Sequence, residues 1–104
     1  MLSFIVANRV FLKPDFNDEF EKRFKQRAGQ IDKQIGFVSM QVLKPKSDDT
    51  PYVILTQWVD EQAFKNWVGS DDFKIAHQDP MNKDAFLDGG GLEQFDVIIS
   101  AESS

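Results

Sequence analysis

The chain has 104 residues, 41% hydrophobic and 28% charged, with 17 acidic against 12 basic residues and a net charge of −5. These values describe one globular domain, read as residues 1–100 with a short tail at 101–104. They argue against nucleic acid, whose binding rests on Lys and Arg neutralising phosphates. With no cysteine and a single histidine, disulfides, iron–sulfur clusters, thiolate chemistry and the usual zinc sites are excluded together.

The opening "MLSFIVANRVFLKP" has no basic leader and is broken by Asn8 and Arg9, so neither a signal peptide nor a membrane span is expected. Nothing later approaches the roughly 20 apolar residues of a span, and the expected address is the cytoplasm. From Leu2 to Leu12 the residues alternate, with Phe4, Val6, Asn8 and Val10 on one face and Ile5, Ala7, Arg9 and Phe11 on the other. This is a strand with apolar residues on both faces. "KPDFNDEFEKRFKQRAGQIDKQIG" then changes period. Phe16, Phe20, Phe24, Ala28, Ile31 and Ile35 recur at three and four, which predicts a long amphipathic helix started at Pro14 and stopped at Gly36.

"GFVSMQVLKP" reads as a second strand closed by Pro45, and "PYVILTQWVD" as a third that begins where a missing ladder donor is tolerated. Helical spacing returns over residues 60–69 through Ala63, Phe64, Trp67 and Val68. Ser70 is a suitable N-cap for a following short helix with Asp71 and Asp72 in its first turn, ended by Asp79-Pro80. "MNKDAFLDGGG" reads as a loop made mobile by three glycines. "LEQFDVIIS" is the last strand. The order strand, helix, two strands, helix pair, strand predicts an α+β, ferredoxin-like βαββαβ domain. Its helices can cover one sheet face only, yet the strands are apolar on both, as with Val53, Leu55 and Val59 against Tyr52, Ile54 and Trp58. A wet apolar face is costly, so a homodimer packed sheet to sheet is expected.

Catalytic patterns such as HExxH, the P-loop, GxGxxG and the nucleophile elbow are absent from the sequence, and no flavin or nicotinamide site is expected. Three residues stand out. Asn8 places an amide inside an apolar strand, where it needs a hydrogen-bond partner. Trp67 follows Phe64 at helical spacing, as a core tryptophan would, and Trp58 reads as core too. His77, the single imidazole, falls near the end of the last short helix, where solvated histidines are also common. Each has an ordinary structural explanation.

Taken together, "VANRVFL", "RFKQRAG", "GFVSMQVLKP" and "VILTQWVDEQAFKNWVGSDDFKIAH" resemble the antibiotic biosynthesis monooxygenase (ABM) domain superfamily, and within it the IsdG-type heme-degrading monooxygenases. The resemblance covers nearly the whole chain and is most specific over residues 53–77. It implies a dimeric α+β barrel with an Asn/Trp/His set at Asn8, Trp67 and His77. His77 would be the axial ligand of heme iron, Trp67 would press on the porphyrin, and the Asn8 amide would lie near the oxygen site. Phe73 and Phe64 would line the slot. Heme would be both substrate and cofactor, cleaved with molecular oxygen and an external electron donor to release iron. After His77 the chain reads "HQDP", leaving Lys74 and Lys83 as candidate partners of the propionates if these do not face solvent. Two other readings share the cleft: a cofactor-independent ABM oxygenase of a quinol or polycyclic aromatic, and a heme-binding dimer without turnover.

Overall fold

The computed structural model describes residues 3–103, the side chain of Ala28 excepted. The expected strand start at Leu2, the Ala28 member of the helical stripe and the end of the tail at Ser104 lie outside the described residues. Strand β1 (Phe4–Val10) leads through a 3-10 turn at Pro14–Phe16 into helix α1 (Asn17–Ile31). Strands β2 (Phe37–Leu43) and β3 (Tyr52–Trp58) follow, then helices α2 (Glu61–Val68) and α3 (Asp71–Ala76), a 3-10 turn at Lys83–Ala85, and strand β4 (Gly91–Asp96). The sheet is antiparallel in the order β2-β3-β1-β4. This is the expected α+β ferredoxin-like plan. No helix among the described residues is long and apolar enough to cross a membrane.

Register assigns the two faces. Phe4 lies opposite Trp58, Val6 opposite Thr56 and Asn8 opposite Ile54, so these six share the face that the helices cover. Two buried clusters form there. Phe4, Val6, Ile31, Trp58, Ala63 and Trp67 pack under α2, and Phe20, Tyr52, Ile54, Met81 and Ala85 pack under α1. On the opposite face the half-buried Ile5, Val53 and Leu55 surround the buried Ala7 and, among the described residues, carry no covering layer; the exposed Leu43 and Phe95 flank them.

Three local expectations are corrected. Helix α1 stops at Ile31 rather than running to Ile35, and Ile35 is 94% exposed. The chain turns there into Gly36, whose φ is +83° and whose missing Cβ would sit 2.6 Å from the Ala63 Cβ. A left-handed residue cannot continue a helix, and only glycine fits against α2. β4 ends at Asp96 instead of extending through Ser100, leaving Ile98 and Ile99 as exposed chain. The segment before β4 is docked rather than loose. Met81 and Ala85 are buried, Lys13 N–H donates to Ala85 O at 2.9 Å, and Leu87 N–H donates to Phe11 O at 2.8 Å. Two of the three glycines are constrained likewise: Gly89 has φ +104°, and a Cβ on Gly90 would meet Arg9 O at 2.6 Å.

Candidate functional site

A cleft of about 290 Å³ opens between the sheet and the helices, where the two core clusters meet. Its floor is the helix-covered face of the sheet, including Asn8, Ile54 and Thr56. Its walls come from α1, α2 and α3. Asn8, Phe64, Trp67, Phe73 and His77, five residues spread over 70 positions of sequence, all line it.

The Gly-Ser corner sets the geometry of the upper wall. Asp60 caps α2 by accepting from Ala63 N–H at 2.8 Å. Ser70 caps α3 by accepting from Phe73 N–H at 3.1 Å, while its hydroxyl donates to Trp67 O at 2.7 Å. One side chain therefore satisfies an orphan donor of α3 and adds to the backbone bond from Ser70 N–H to Trp67 O at the end of α2, which fixes the angle between the helices. Across that corner Trp67 and Phe73 meet edge to face, with centroids 5.3 Å apart and planes at 82°. Phe73 in turn stacks on the His77 ring at 4.1 Å and 28°. The aromatic wall is continuous from indole to imidazole.

The His77 tautomer follows from its partner. Nδ1 lies 2.7 Å from Phe73 O. A carbonyl can only accept, so Nδ1 carries the proton and donates it. The neutral ring then keeps its lone pair on Nε2, and no second hydrogen bond to the ring is formed among the described residues. An imidazole held this way is suited to bind a metal ion or to take up a proton.

Asn8 is half-buried and, among the described residues, its amide has no side-chain hydrogen-bond partner. A structural amide in a strand would be bonded to a loop or bulge. This one faces the cleft. Trp67 is buried and also forms part of the cleft wall, whereas Trp58 is fully buried beneath it.

Two lining residues escaped the sequence reading. Arg27 of α1 is half-buried, its guanidinium 4.8 Å from the Phe24 ring centroid, and it forms no ion pair among the described residues. Burial, and then the like charge of Arg23, hold its pKa below the usual arginine value. Helix arithmetic contained the signal: Arg27 lies three residues after Phe24 and four before Ile31, on the apolar face. Thr56 was read only as part of an apolar strand. Lys74 and Lys83 are exposed and do not line the cleft, so the cation available there is Arg27. No group of three or more His, Asp or Glu side chains able to hold a metal ion occurs among the described residues. Protein ligation of a metal within the cleft would therefore rest on His77.

The fold and this cleft define an α+β enzyme domain, and the antibiotic biosynthesis monooxygenase family model matches residues 3–79. The chain belongs to that family and is an enzyme of the monooxygenase class. It is 30% identical over 95 residues to a heme oxygenase (mycobilin-producing) of Mycobacterium tuberculosis, spanning 91% of this chain and 89% of the relative. The structure of the heme-degrader MhuD from Mycobacterium tuberculosis, with two hemes bound in its active site, superposes with a TM-score of 0.78 at 25% identity. That match covers 95% of this chain and 99% of MhuD. A putative antibiotic biosynthesis monooxygenase from Bacillus cereus gives a TM-score of 0.78 at 24% identity, covering 99% of this chain and 100% of its own.

Proposed function

We propose that this protein binds heme through His77 and degrades it oxidatively with molecular oxygen and electrons from an external donor, releasing iron. The observation that carries the reading is the His77 imidazole. Its tautomer is fixed by Phe73 O, and its Nε2 is free at the wall of an apolar cleft. The relatives named as a heme oxygenase and a heme-degrader support it.

The residues present fit heme in three respects. Its iron needs one neutral imidazole, its ring needs a large apolar slot, and its two carboxylates need a cation or solvent. His77, the wall of Phe64, Trp67 and Phe73, and the unpaired Arg27 correspond to these in turn. When bound, heme supplies both the iron at which oxygen reacts and the ring that is oxidised. The protein's own part is placement. The Nδ1–H bond to Phe73 O orients the imidazole and leaves Nε2 as its acceptor nitrogen. Trp67, held edge-on by Phe73, would bear on a ring bound beside α2. Asn8 would offer an amide N–H from the floor, and Arg27, the cation lining the cleft, would be the partner for a propionate.

The test is a heme titration followed by addition of ascorbate. The parent should show a Soret band that decays on reduction in air, and His77→Ala should lose the histidine-ligated spectrum and the decay while retaining the apo fold. A parent that gave no Soret band would instead favour a cofactor-independent oxygenase, and a stable Soret band under reductant a heme-binding protein without turnover.

A further inference from the structure

Thr56 is the one buried polar side chain among the described residues, 8% exposed, and it lies on the cleft floor. Its Oγ1 accepts the indole N–H of Trp58 at 3.1 Å. Trp58 has no freedom to turn away: it is fully buried and met edge-on by Phe37 and Phe64, at 5.4 and 6.0 Å between centroids. A threonine hydroxyl has two acceptor lone pairs and one proton. With Trp58 donating to it, the proton must be donated elsewhere, and no protein acceptor for it occurs among the described residues. The neighbouring strands β1 and β2 flank Thr56 at Val6 and Met40 and offer none. The open direction is the cleft.

Register places this donor relative to Asn8. Thr56 lies opposite Val6, two residues along β1 from Asn8 and on the same face. The two are diagonal neighbours, about 7–8 Å apart between backbones. A single small ligand above the floor can approach both.

We propose that Thr56 is a second hydrogen-bond donor of the site, its hydroxyl aimed by Trp58 at an acceptor atom of the ligand that lies beside Asn8. The indole sets the direction and Thr56 makes the contact. This deepens the heme reading and rests on it for the identity of that ligand, a small acceptor molecule on the sheet side of the ring.

Azide bound to the ferric-heme protein, and carbon monoxide bound to the ferrous one, are suitable probes. Thr56→Val should weaken azide about three- to tenfold, the effect of one lost hydrogen bond, and raise the carbon monoxide stretching frequency. Thr56→Ser should stay near the parent on both. The double variant Thr56→Val with Trp58→Phe leaves no orphaned indole N–H and should repeat the azide loss even if the single variant folds poorly. A merely structural threonine would lower the melting temperature while leaving azide affinity and stretching frequency unchanged, and that result overturns the proposal. If the parent took up no heme, the heme reading would fall by itself. Thr56 would then be judged on crystals of the heme-free protein: a cleft water on Thr56 Oγ1, absent in Thr56→Val, upholds the donor, and a hydroxyl turned to a protein acceptor removes it.

Discussion

Trp67 shows how one residue serves both packing and site. It is buried in the cluster under α2, yet its face reaches the cleft, so a loss of stability alone says little about its function. Trp67→Ala should cost about 3–5 kcal/mol through the cavity it leaves, whereas Trp67→Phe keeps most of the bulk and should cost far less. Single-turnover decay of bound heme separates the roles. Trp67→Phe should hold heme and largely retain its rate, and Trp67→Ala should hold heme flat and degrade it slowly. Rates that followed melting temperature alone would return Trp67 to the core. A second residue-scale prediction comes from Tyr52, whose hydroxyl donates to Glu21 Oε2 at 2.6 Å, with Lys44 Nζ 3.0 Å from the same oxygen. Burial, and then the Glu21 carboxylate, push the Tyr52 phenol from its ordinary 10.0 up to about 12. The bonds from Tyr52 and Lys44 hold Glu21 below the usual carboxylate value of 4.5. Above pH 10 the unfolded tyrosine has lost its proton and the folded one has not, so stability present below pH 10 should be lost as pH rises toward 12. Glu21 works in the opposite sense, its contribution present above about pH 4.5 and lost as pH falls through its depressed folded value. Denaturant midpoints of Tyr52→Phe against parent check this, since the variant should lack the loss between pH 10 and 12.

At the scale of elements, α3 is too short to be stable alone and depends on its junction. Ser70 joins it to α2 through two hydrogen bonds. Ser70→Ala should lower global stability by about 1 kcal/mol, the usual effect of losing an N-cap. It should weaken heme retention more than Trp67→Phe does, because the angle of α3 carries Phe73 and His77. Melting curves and the heme dissociation rate give the two readouts, and an unchanged dissociation rate would show that the corner does not position His77. Two polar contacts further tie α3 and the turn after it to α1 and the turn after that helix. Gln34 Nε2 donates to Asp72 Oδ2 at 2.8 Å, and Arg23 reaches both the backbone carbonyl of Asp79 and its carboxylate. Both are exposed, and exposed pairs contribute little.

At the scale of the whole molecule, the open sheet face bears Ile5, Val53 and Leu55 with Phe95 at its edge, and no helix among the described residues covers it. We infer a homodimer with the two faces packed together, burying on the order of 800 Å² per partner as stable interfaces do. Sedimentation should find a species of twice the 11.9 kDa chain mass. Leu55→Glu should shift it to monomer by placing a charge at the centre of the face. A parent that stayed monomeric and folded at micromolar concentration would refute the dimer.

Periodicity made most of the fold legible. Alternation in β1 and the three-and-four spacing of Phe16, Phe20 and Phe24 are local consequences of backbone geometry, so the sequence by itself determined the element order and the two-faced apolar strands. An amide in an apolar strand and a lone imidazole are visible in one dimension, but Asn8, Trp67 and His77 were joined into one set only by resemblance to the family. Tertiary structure brought the three to one cleft. Whether the Asn8 amide was satisfied, and which His77 nitrogen kept its lone pair, depended on partners that only folding brings near. The left-handed turn at Gly36 goes with its close approach to Ala63, and the order of the segment before β4 with burial of Met81 and Ala85. Thr56 gained a directed proton because Trp58, two residues along the same strand, was locked by aromatic rings from β2 and α2. Hydrogen-bond direction is a property of the surroundings, and a sequence lists only the groups that could take part.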